Sequence, residues 1–394
     1  METVKKVVLA LVFLMLGFFS PMASASFELA EAHGWEVGGR GRLSISCSIT
    51  DATTNTDGLF GEEGTNTTCG VGRTLLPSEV GLWANSPEWE SPFGKVQISG
   101  VLDLAYTVNL HEADSTGTEV RNGFLQVVLT PEGSTPWTLK LGNQLSSFSD
   151  VILLDHTLSG VGVPIGPEAV DTTGLGHIGT GYLFDLGFSF GAKLETASLH
   201  GFNLELGVYN ASTISGLSSS PRIEGQVNFV HQFGEEADLK AWITAMYQAN
   251  KYQHSDVDIY GFDGGVAVNK GPYGILVYGY GGQGLGSILL NKINSDTVDF
   301  NGDEVDAFGG LAQLHYKTVL FTKASKLALS YGISAVDRSE FGSIKNRQSA
   351  IVGAYVDLSD QVNVFLEGGH AWSKIVGSKD AANNFGSLGF NLNF

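Results

Sequence analysis

The chain of 394 residues carries 41 acidic and 22 basic side chains, a formal net charge of −19, yet only 16% of its residues are charged. Globular domains usually have about 25% charged residues, and here 52 glycines and many small polar and aromatic residues take up the difference. The acidic balance argues against nucleic acid as a partner and favours cations. No apolar run after residue 25 reaches the roughly 20 residues of a transmembrane helix, which excludes a helical inner-membrane protein.

The N-terminus has the three parts of a secretory signal peptide. Two lysines precede an unbroken apolar stretch over residues 7–19, and small residues ending at Ala25 follow it. The stretch is too short to span a membrane as a helix. We predict cleavage after Ala25, which leaves a mature chain of residues 26–394 with 40 acidic (41 − 1) and 20 basic (22 − 2) groups.

The chain contains two cysteines, Cys47 and Cys69. In an exported protein such a pair is readily oxidised, and two cysteines at this spacing resemble no zinc site. We expect a disulfide that closes one loop, with two free thiols as the alternative.

Apolar and polar residues alternate along most of the mature chain. At the C-terminus Leu388, Phe390 and Leu392 alternate with small polar residues, a period of two that is typical of strands. The segments are about ten residues long, as in tilted strands that cross a membrane. We predict sixteen strands, at residues 35–49, 77–86, 95–109, 120–130, 136–144, 176–190, 201–210, 222–233, 238–250, 257–269, 272–283, 306–318, 325–336, 348–358, 361–373 and 385–394.

The predicted connections alternate between short turns and long polar segments, and the number of strands is even, as in an outer-membrane barrel. The long connections are residues 50–76, 145–175, 211–221, 284–305 and 337–347. Closure is required because an open sheet edge in lipid leaves backbone groups without hydrogen bonds. A soluble β-sandwich would show polar outer faces, and a β-helix would show a fixed repeat that is absent here. We therefore predict an all-β, 16-stranded antiparallel transmembrane barrel whose last strand pairs with its first.

Three stretches and the terminal residue resemble the general diffusion porins of Gram-negative outer membranes. They are "GRLSIS" at 41–46, "TLKLGNQLSSFSD" at 138–150, "KLALSYGISAV" at 326–336 and the terminal Phe394. The chain departs from that family at Asn143, where the family commonly has arginine. The resemblance implies a homotrimer embedded in outer-membrane lipid and lipopolysaccharide, and a third loop folded inward. It also implies that Phe394 is an assembly signal for the barrel-insertion machinery.

A channel of this kind selects solutes by its diameter and by the charges on its walls. Carboxylates on the third loop, opposite basic groups on the wall, would form a constriction with a transverse field. We predict that the loop residues 151–166, which are unusually apolar, pack against the inner wall, although an external loop at a subunit contact is an alternative. The candidate constriction and interior residues are Arg42, Lys140, Asp150, Asp155, Glu168, Asp171, Arg222 and Lys240. Each could instead be a solvated interior charge away from the constriction.

No catalytic or cofactor motif is present. No G-x-S-x-G elbow occurs where a strand would lead into a helix, and Asp299 and Asp303 form only a weak calcium candidate because the EF-hand spacing fails. We predict no cofactor and no enzyme activity, but passive diffusion of small hydrophilic solutes and ions, with a preference for cations. The alternatives are a substrate-selective channel with an interior binding site, and a non-conducting structural or adhesive barrel.

Overall fold

The structure is a computed structural model. It describes residues 27–32, 34–54, 64–72, 78–107, 117–148, 151, 154–157, 188–211, 220–234, 236–252, 255–285, 299, 303–338, 343–377 and 380–394. The predicted signal peptide and the candidates Asp150, Glu168 and Asp171 lie outside the described residues.

The described part of the chain consists almost entirely of strands. In chain order they are β1 (Phe27–Ala32), β2 (Trp35–Thr54), β3 (Gly64–Gly72), β4 (Ser78–Asn85), β5 (Trp89–Ser91), β6 (Gly94–Thr107), β7 (Gly117–Thr130), β8 (Trp137–Leu145), β9 (Phe188–Thr196), β10 (Phe202–Tyr209), β11 (Arg222–Phe233), β12 (Ala237–Tyr252), β13 (Ser255–Lys270), β14 (Tyr273–Gln283), β15 (Asp306–Leu320), β16 (Lys323–Val336), β17 (Ile344–Asp357), β18 (Val362–Ile375) and β19 (Ala381–Asn393). Among these residues, no helix is long and apolar enough to cross a membrane.

Sixteen of the strands form a closed antiparallel ring. Its order is β2, β4, and then β6 to β19 in sequence, and β19 pairs back with β2 over Arg42–Thr53. The short strands β1, β3 and β5 add to the ends of ring strands. The predicted 16-stranded closed barrel is confirmed.

Each ring strand places apolar side chains outside and a mixed set inside. In β14, Ile275 and Val277 point outward and are 50% and 54% exposed, whereas Leu276 and Tyr278 point inward and are 1% and 3% exposed. This arrangement follows from the period of two. An apolar outer face around a closed ring suits a lipid environment, because every ring strand is paired on both sides.

The sixth predicted strand is wrong in its position. We predicted residues 176–190, but the described strand β9 runs from Phe188 to Thr196 and pairs with β8. The charged residues Lys193 and Glu195 in the second half of β9 misled the prediction. Both side chains face the interior, where a 3.1 Å ion pair joins them. The other fifteen segments agree with the structure to within five residues at either end.

Short connections gather at one end of the barrel, which we call the turn end. It holds the connections 131–136, 197–201, 234–236, 271–272, 321–322 and 358–361, together with the start of β2 and the end of β19. Phe321 and Thr322 form a two-residue hairpin with φ values of 51° and 66°, the left-handed conformation that such hairpins require. We call the opposite end the loop end.

The terminal Phe394 closes the seam of the ring at the turn end. Its carbonyl oxygen accepts a hydrogen bond from the amide of Gly41 at 2.5 Å, and its own amide donates to the Gly41 carbonyl at 2.8 Å. The phenyl ring covers Gly41 so closely that a Cβ there would lie 2.4 Å from ring carbons. A larger residue at position 41 would therefore require the Phe394 ring to move.

Candidate functional site

A ladder of alternating charges crosses the interior wall from β8 to β10. The Lys140 ammonium lies 2.8 Å from the Glu195 carboxylate, and Lys193 lies 3.1 Å from Glu195 and 3.4 Å from Glu205. Asn228 on β11 donates a further hydrogen bond to Glu205 at 3.1 Å. The two acidic and two basic groups neutralise one another, so this stretch of wall offers polarity without net charge.

A second pair of ion pairs lies on the strands after the seam. Arg40 binds Asp103 through two hydrogen bonds of 2.6 and 3.1 Å, reaching across β4. It can do so because Gly81 stands between them, and a Cβ at Gly81 would lie 2.1 Å from the Asp103 carboxylate. Arg42 makes a 3.2 Å ion pair with Glu79 on β4.

Glu224 on β11 fixes the beginning of the connection that follows β8. Its carboxylate accepts hydrogen bonds from the Ser146 hydroxyl at 2.7 Å and from the backbone amides of Ser147 at 2.8 Å and Phe148 at 3.2 Å. Arg222 pairs with the same carboxylate at 2.6 Å, and both side chains of the pair are wholly buried. A buried carboxylate needs this number of donors to offset its desolvation.

The same connection buries apolar side chains against the inner wall. Phe148 and Val151 are fully buried in a cluster with inward-facing side chains of β12 to β16. Trp242, Tyr278 and Leu311 belong to this cluster. The interior of the barrel therefore contains a packed apolar core on this side.

Farther along the connection, residues 154–157 contact β15 and β16. The side-chain amide of Gln313 donates to the carboxylate of Asp155, and the backbone amide of His156 donates to Gln313 at 3.2 Å. The hydroxyls of Thr157 and Ser330 are 2.9 Å apart. We call residues 154–157 the docked segment.

His156 lies among basic groups. Its Nδ1 is 3.4 Å from the Lys326 ammonium, and its ring centroid is 4.1 Å from that of His315. Burial, followed by the positive charges of Lys326, His315 and Lys317, lowers the pKa of His156 to about 3. The imidazole is therefore neutral at pH 7, and its Nδ1 accepts the hydrogen bond from Lys326.

The structure places the described candidates on the interior wall, but at separate points of it. Lys140 belongs to the charge ladder, Arg42 pairs with Glu79, and Arg222 is wholly buried at the root of the connection. The Lys240 ammonium lies 5.4 Å from the ring centre of Trp242. Asp155 is on the docked segment, whereas three of the predicted loop carboxylates are not described. Their joint role at a constriction stays a prediction.

Sequence reasoning missed Arg40, Lys193 and Glu195. Arg40 shares the parity of Arg42, so the alternation alone could have found it. The other two were missed because the sixth strand was misplaced, and correct placement would have put them on the interior face.

The described residues include only part of the predicted disulfide and of the weak calcium candidate. The backbones of β2 and β3 place Cys47 opposite Val71 and Cys69 opposite Ile49, but the cysteine side chains lie outside the described residues, so the disulfide stays a prediction. The Asp299 carboxylate accepts a hydrogen bond from the backbone amide of Asp303 at 2.9 Å. Within the described ranges, no group of three or more side chains could hold a metal ion.

The chain is similar to known proteins in structure but not in sequence. No protein-family model matches the chain, and no curated protein matches it in sequence. Among solved structures, the outer membrane channel DcaP of Acinetobacter baumannii superposes with a TM-score of 0.66 at 14% identity, covering 94% of this chain and 100% of that one. The anion-selective porin from Comamonas acidovorans gives a TM-score of 0.63 at 14% identity, with 91% and 100% coverage. A trimer form of OmpT, an outer membrane protein of Vibrio cholerae, gives 0.52 at 16% identity, with 92% and 100% coverage. The chain has the fold of the outer-membrane porins.

Proposed function

We propose that this protein is an outer-membrane channel through which small hydrophilic solutes and ions diffuse passively. The observation that carries the proposal is the closed ring itself, with apolar side chains outside and interleaved ion pairs inside. An interior of this kind is compatible with water, and the outer face is compatible with lipid. The similar folds of DcaP and of the anion-selective porin give the proposal further support.

The connection between β8 and β9 is the element that we propose narrows the channel. It begins on β11 through Glu224 and reaches β15 and β16 through the docked segment, so it crosses from one part of the inner wall to another. Residues 146–187 include five carboxylates and neither lysine nor arginine. These carboxylates are Asp150, Asp155, Glu168, Asp171 and Asp185. We propose that they give the narrow part of the channel a negative charge.

The ion preference that we propose follows from the same distribution of charge. The described acidic groups of the charge ladder and of β6 have basic partners, so the surplus of acid lies mainly in the connections. A negative opening concentrates cations and repels anions. Porin-type barrels are not all cation-selective, since one of the similar structures is an anion-selective porin. The preference therefore depends on these residues and not on the fold.

Assembly and export complete the proposal. A trimer form of the similar OmpT supports a homotrimer. Residues 1–25 would direct export, and the disulfide between Cys47 and Cys69 would form afterwards. Phe394, which already closes the seam with Gly41, would be the signal for the insertion machinery.

Single-channel recording in planar bilayers tests the proposal. Refolded protein should give stable conductance steps, and the reversal potential under a KCl gradient should indicate a preference for potassium over chloride. Asp155→Asn keeps an acceptor for Gln313 but removes a charge from the docked segment, so it should weaken the preference. Asp360→Asn, in an exposed connection at the turn end, is the matched control and should not. Absence of any conductance would refute the channel and favour a structural or adhesive barrel.

A substrate-selective channel is the second candidate function. An interior cavity near Lys326 favours it over a general pore, because that cavity is lined by charged and amide side chains. A solute that blocks the current at low concentration would distinguish it from a general diffusion channel.

A further inference from the structure

A cavity of about 500 Å³ opens inside the barrel at the turn end. It is lined by β15 to β19 and by β2, which are consecutive members of the ring. The docked segment lies on the loop-end side of it, because its partners Gln313 and Ser330 are each four residues farther from the turn end than Lys317 and Lys326. A solute leaving the proposed narrow part towards the turn end would meet this cavity next.

Two lysines lie side by side on one wall of the cavity. Lys317 on β15 and Lys326 on β16 are direct partners in the strand register, and both side chains line the cavity. Within the described part of the chain, no carboxylate lies within 4.0 Å of either ammonium group. Like charges directly opposite each other destabilise a sheet. This contrasts with the interior charges of β8 to β10, which are matched.

Aromatic and imidazole contacts hold Lys326 in place, and the carboxylates of Asp155, Glu367 and Asp357 act on its charge from beyond ion-pair distance. Its ammonium lies 4.5 Å from the ring centre of Tyr355 and 3.4 Å from the neutral His156. Both contacts orient a cation without cancelling its charge. The same side chain lines the cavity.

The remaining polar groups of the cavity are mostly donors or are already partnered. Arg42 adds a third positive group, which Glu79 balances at 3.2 Å. The carboxylate of Asp357 accepts a hydrogen bond from Asn363 at 2.8 Å. Asn391 contributes an amide from β19. The lining side chains thus carry three positive charges and one negative charge, beside amide groups.

We propose that this cavity binds a small oxyanion, a solute bearing a carboxylate or phosphate group, between Lys317 and Lys326. Two lysines on neighbouring strands, beside side-chain amides, are suited to such a group. The inference rests on the proposed channel function, because it names a class of solute that would pause in the pore. It is compatible with a cation preference of the whole pore, since the lining of this cavity is only a small part of the interior surface.

Inorganic phosphate is the probe, and current block is the first readout. Phosphate added to a constant chloride background should reversibly reduce single-channel current. The double variant Lys317→Gln and Lys326→Gln should weaken this block by about tenfold or more, because each lost charge near 4 Å contributes a severalfold effect even in water. Lys270→Gln removes an exposed lysine of the same end that does not line the cavity, and its block should equal that of the wild type.

Thermal unfolding in detergent gives a second readout that does not require conductance. Phosphate should raise the unfolding temperature of the wild type and of Lys270→Gln, but not that of the double variant. In the absence of phosphate, Lys317→Gln alone should be at least as stable as the wild type, because it removes the like-charge repulsion.

The outcomes separate this inference from the proposed function. Conductance without phosphate block or thermal stabilisation would overturn the anion site and leave the channel intact. Equal weakening of the block in Lys270→Gln and in the double variant would also overturn it, because the effect would then be a general surface charge. Thermal stabilisation that depends on the two lysines, in a protein without conductance, would support the site and refute the channel.

Discussion

Replacing Glu224 by glutamine should release the root of the connection from the barrel wall. The carboxylate accepts from Arg222 and from three donors of residues 146–148, and the ion pair is wholly buried. Breaking a buried pair by removing one partner costs about 3–5 kcal/mol. Glutamine has almost the same shape as glutamate, so this cost would arise from the lost charge and not from a cavity.

A double variant shows whether the charge is responsible. Replacing both members of a buried ion pair by uncharged residues is often close to neutral. We therefore expect Arg222→Met combined with Glu224→Gln to be more stable than Glu224→Gln alone. Glu88→Gln is the control, because its pair with Lys95 is 3.6 Å long and more than half exposed on both sides, and such pairs contribute about 0–1 kcal/mol.

Equilibrium unfolding in urea, monitored by tryptophan fluorescence in lipid vesicles, gives the free energies. Single-channel noise of the same variants reports the motion of the connection, and Glu224→Gln should be noisier than the control. A cost for Glu224→Gln no greater than that for Glu88→Gln would refute the view that this carboxylate anchors the connection. A double variant less stable than the single one would refute the assignment of the cost to the charge.

Three further predictions concern single positions. Burial and neighbouring positive charge lower the pKa of His156 from 6.5 to about 3. The imidazole therefore binds a proton more readily when the docked segment is released than when it is docked. Docking should be fully stable above pH 6.5 and should weaken as the pH falls towards 3. Current noise measured as a function of pH should rise over that range, and His156→Gln should abolish the rise. Thr322→Gly should stabilise the barrel by about 1 kcal/mol in urea unfolding, because a β-branched residue has a φ of 66° there. Gly81→Ala should cost about 1–3 kcal/mol in the same assay, because its Cβ would lie 2.1 Å from the Asp103 carboxylate; an unchanged stability would contradict that clash.

The strands could be predicted from the sequence because each faces lipid on one side and the interior on the other. That constraint acts on every second residue, so Arg42 and Lys140 were placed on the interior face by parity alone. It failed at β9, where Lys193 and Glu195 are paired inside the barrel and the apolar signal on the other parity is short. The alternation of apolar and polar residues does not show that two charged residues on the same face of a strand form an ion pair.

The contacts of the third connection could not be predicted in the same way. Glu224 reaches Ser147 across 77 positions of the chain, and Gln313 reaches Asp155 across 158. No local pattern encodes such partners, because they depend on how the closed ring brings distant strands to one interior. The apolar character of residues 151–166 indicated packing against a wall, but not which wall.

The same pairing explains why net charge alone is a weak guide to what a pore of this kind admits. Most described acidic groups of β6 and β8 to β11 are matched by a basic partner within 4.0 Å, and matched pairs contribute little to the field at a distance. The groups outside these pairs should dominate, and they include the carboxylates of residues 146–187 and the two neighbouring lysines at the turn end. Substituting both members of a pair such as Lys140 and Glu195 should therefore leave the reversal potential almost unchanged, whereas one substitution in the connection should move it. The positions of the unmatched charges, more than their sum, would then decide which ions pass and which solutes bind.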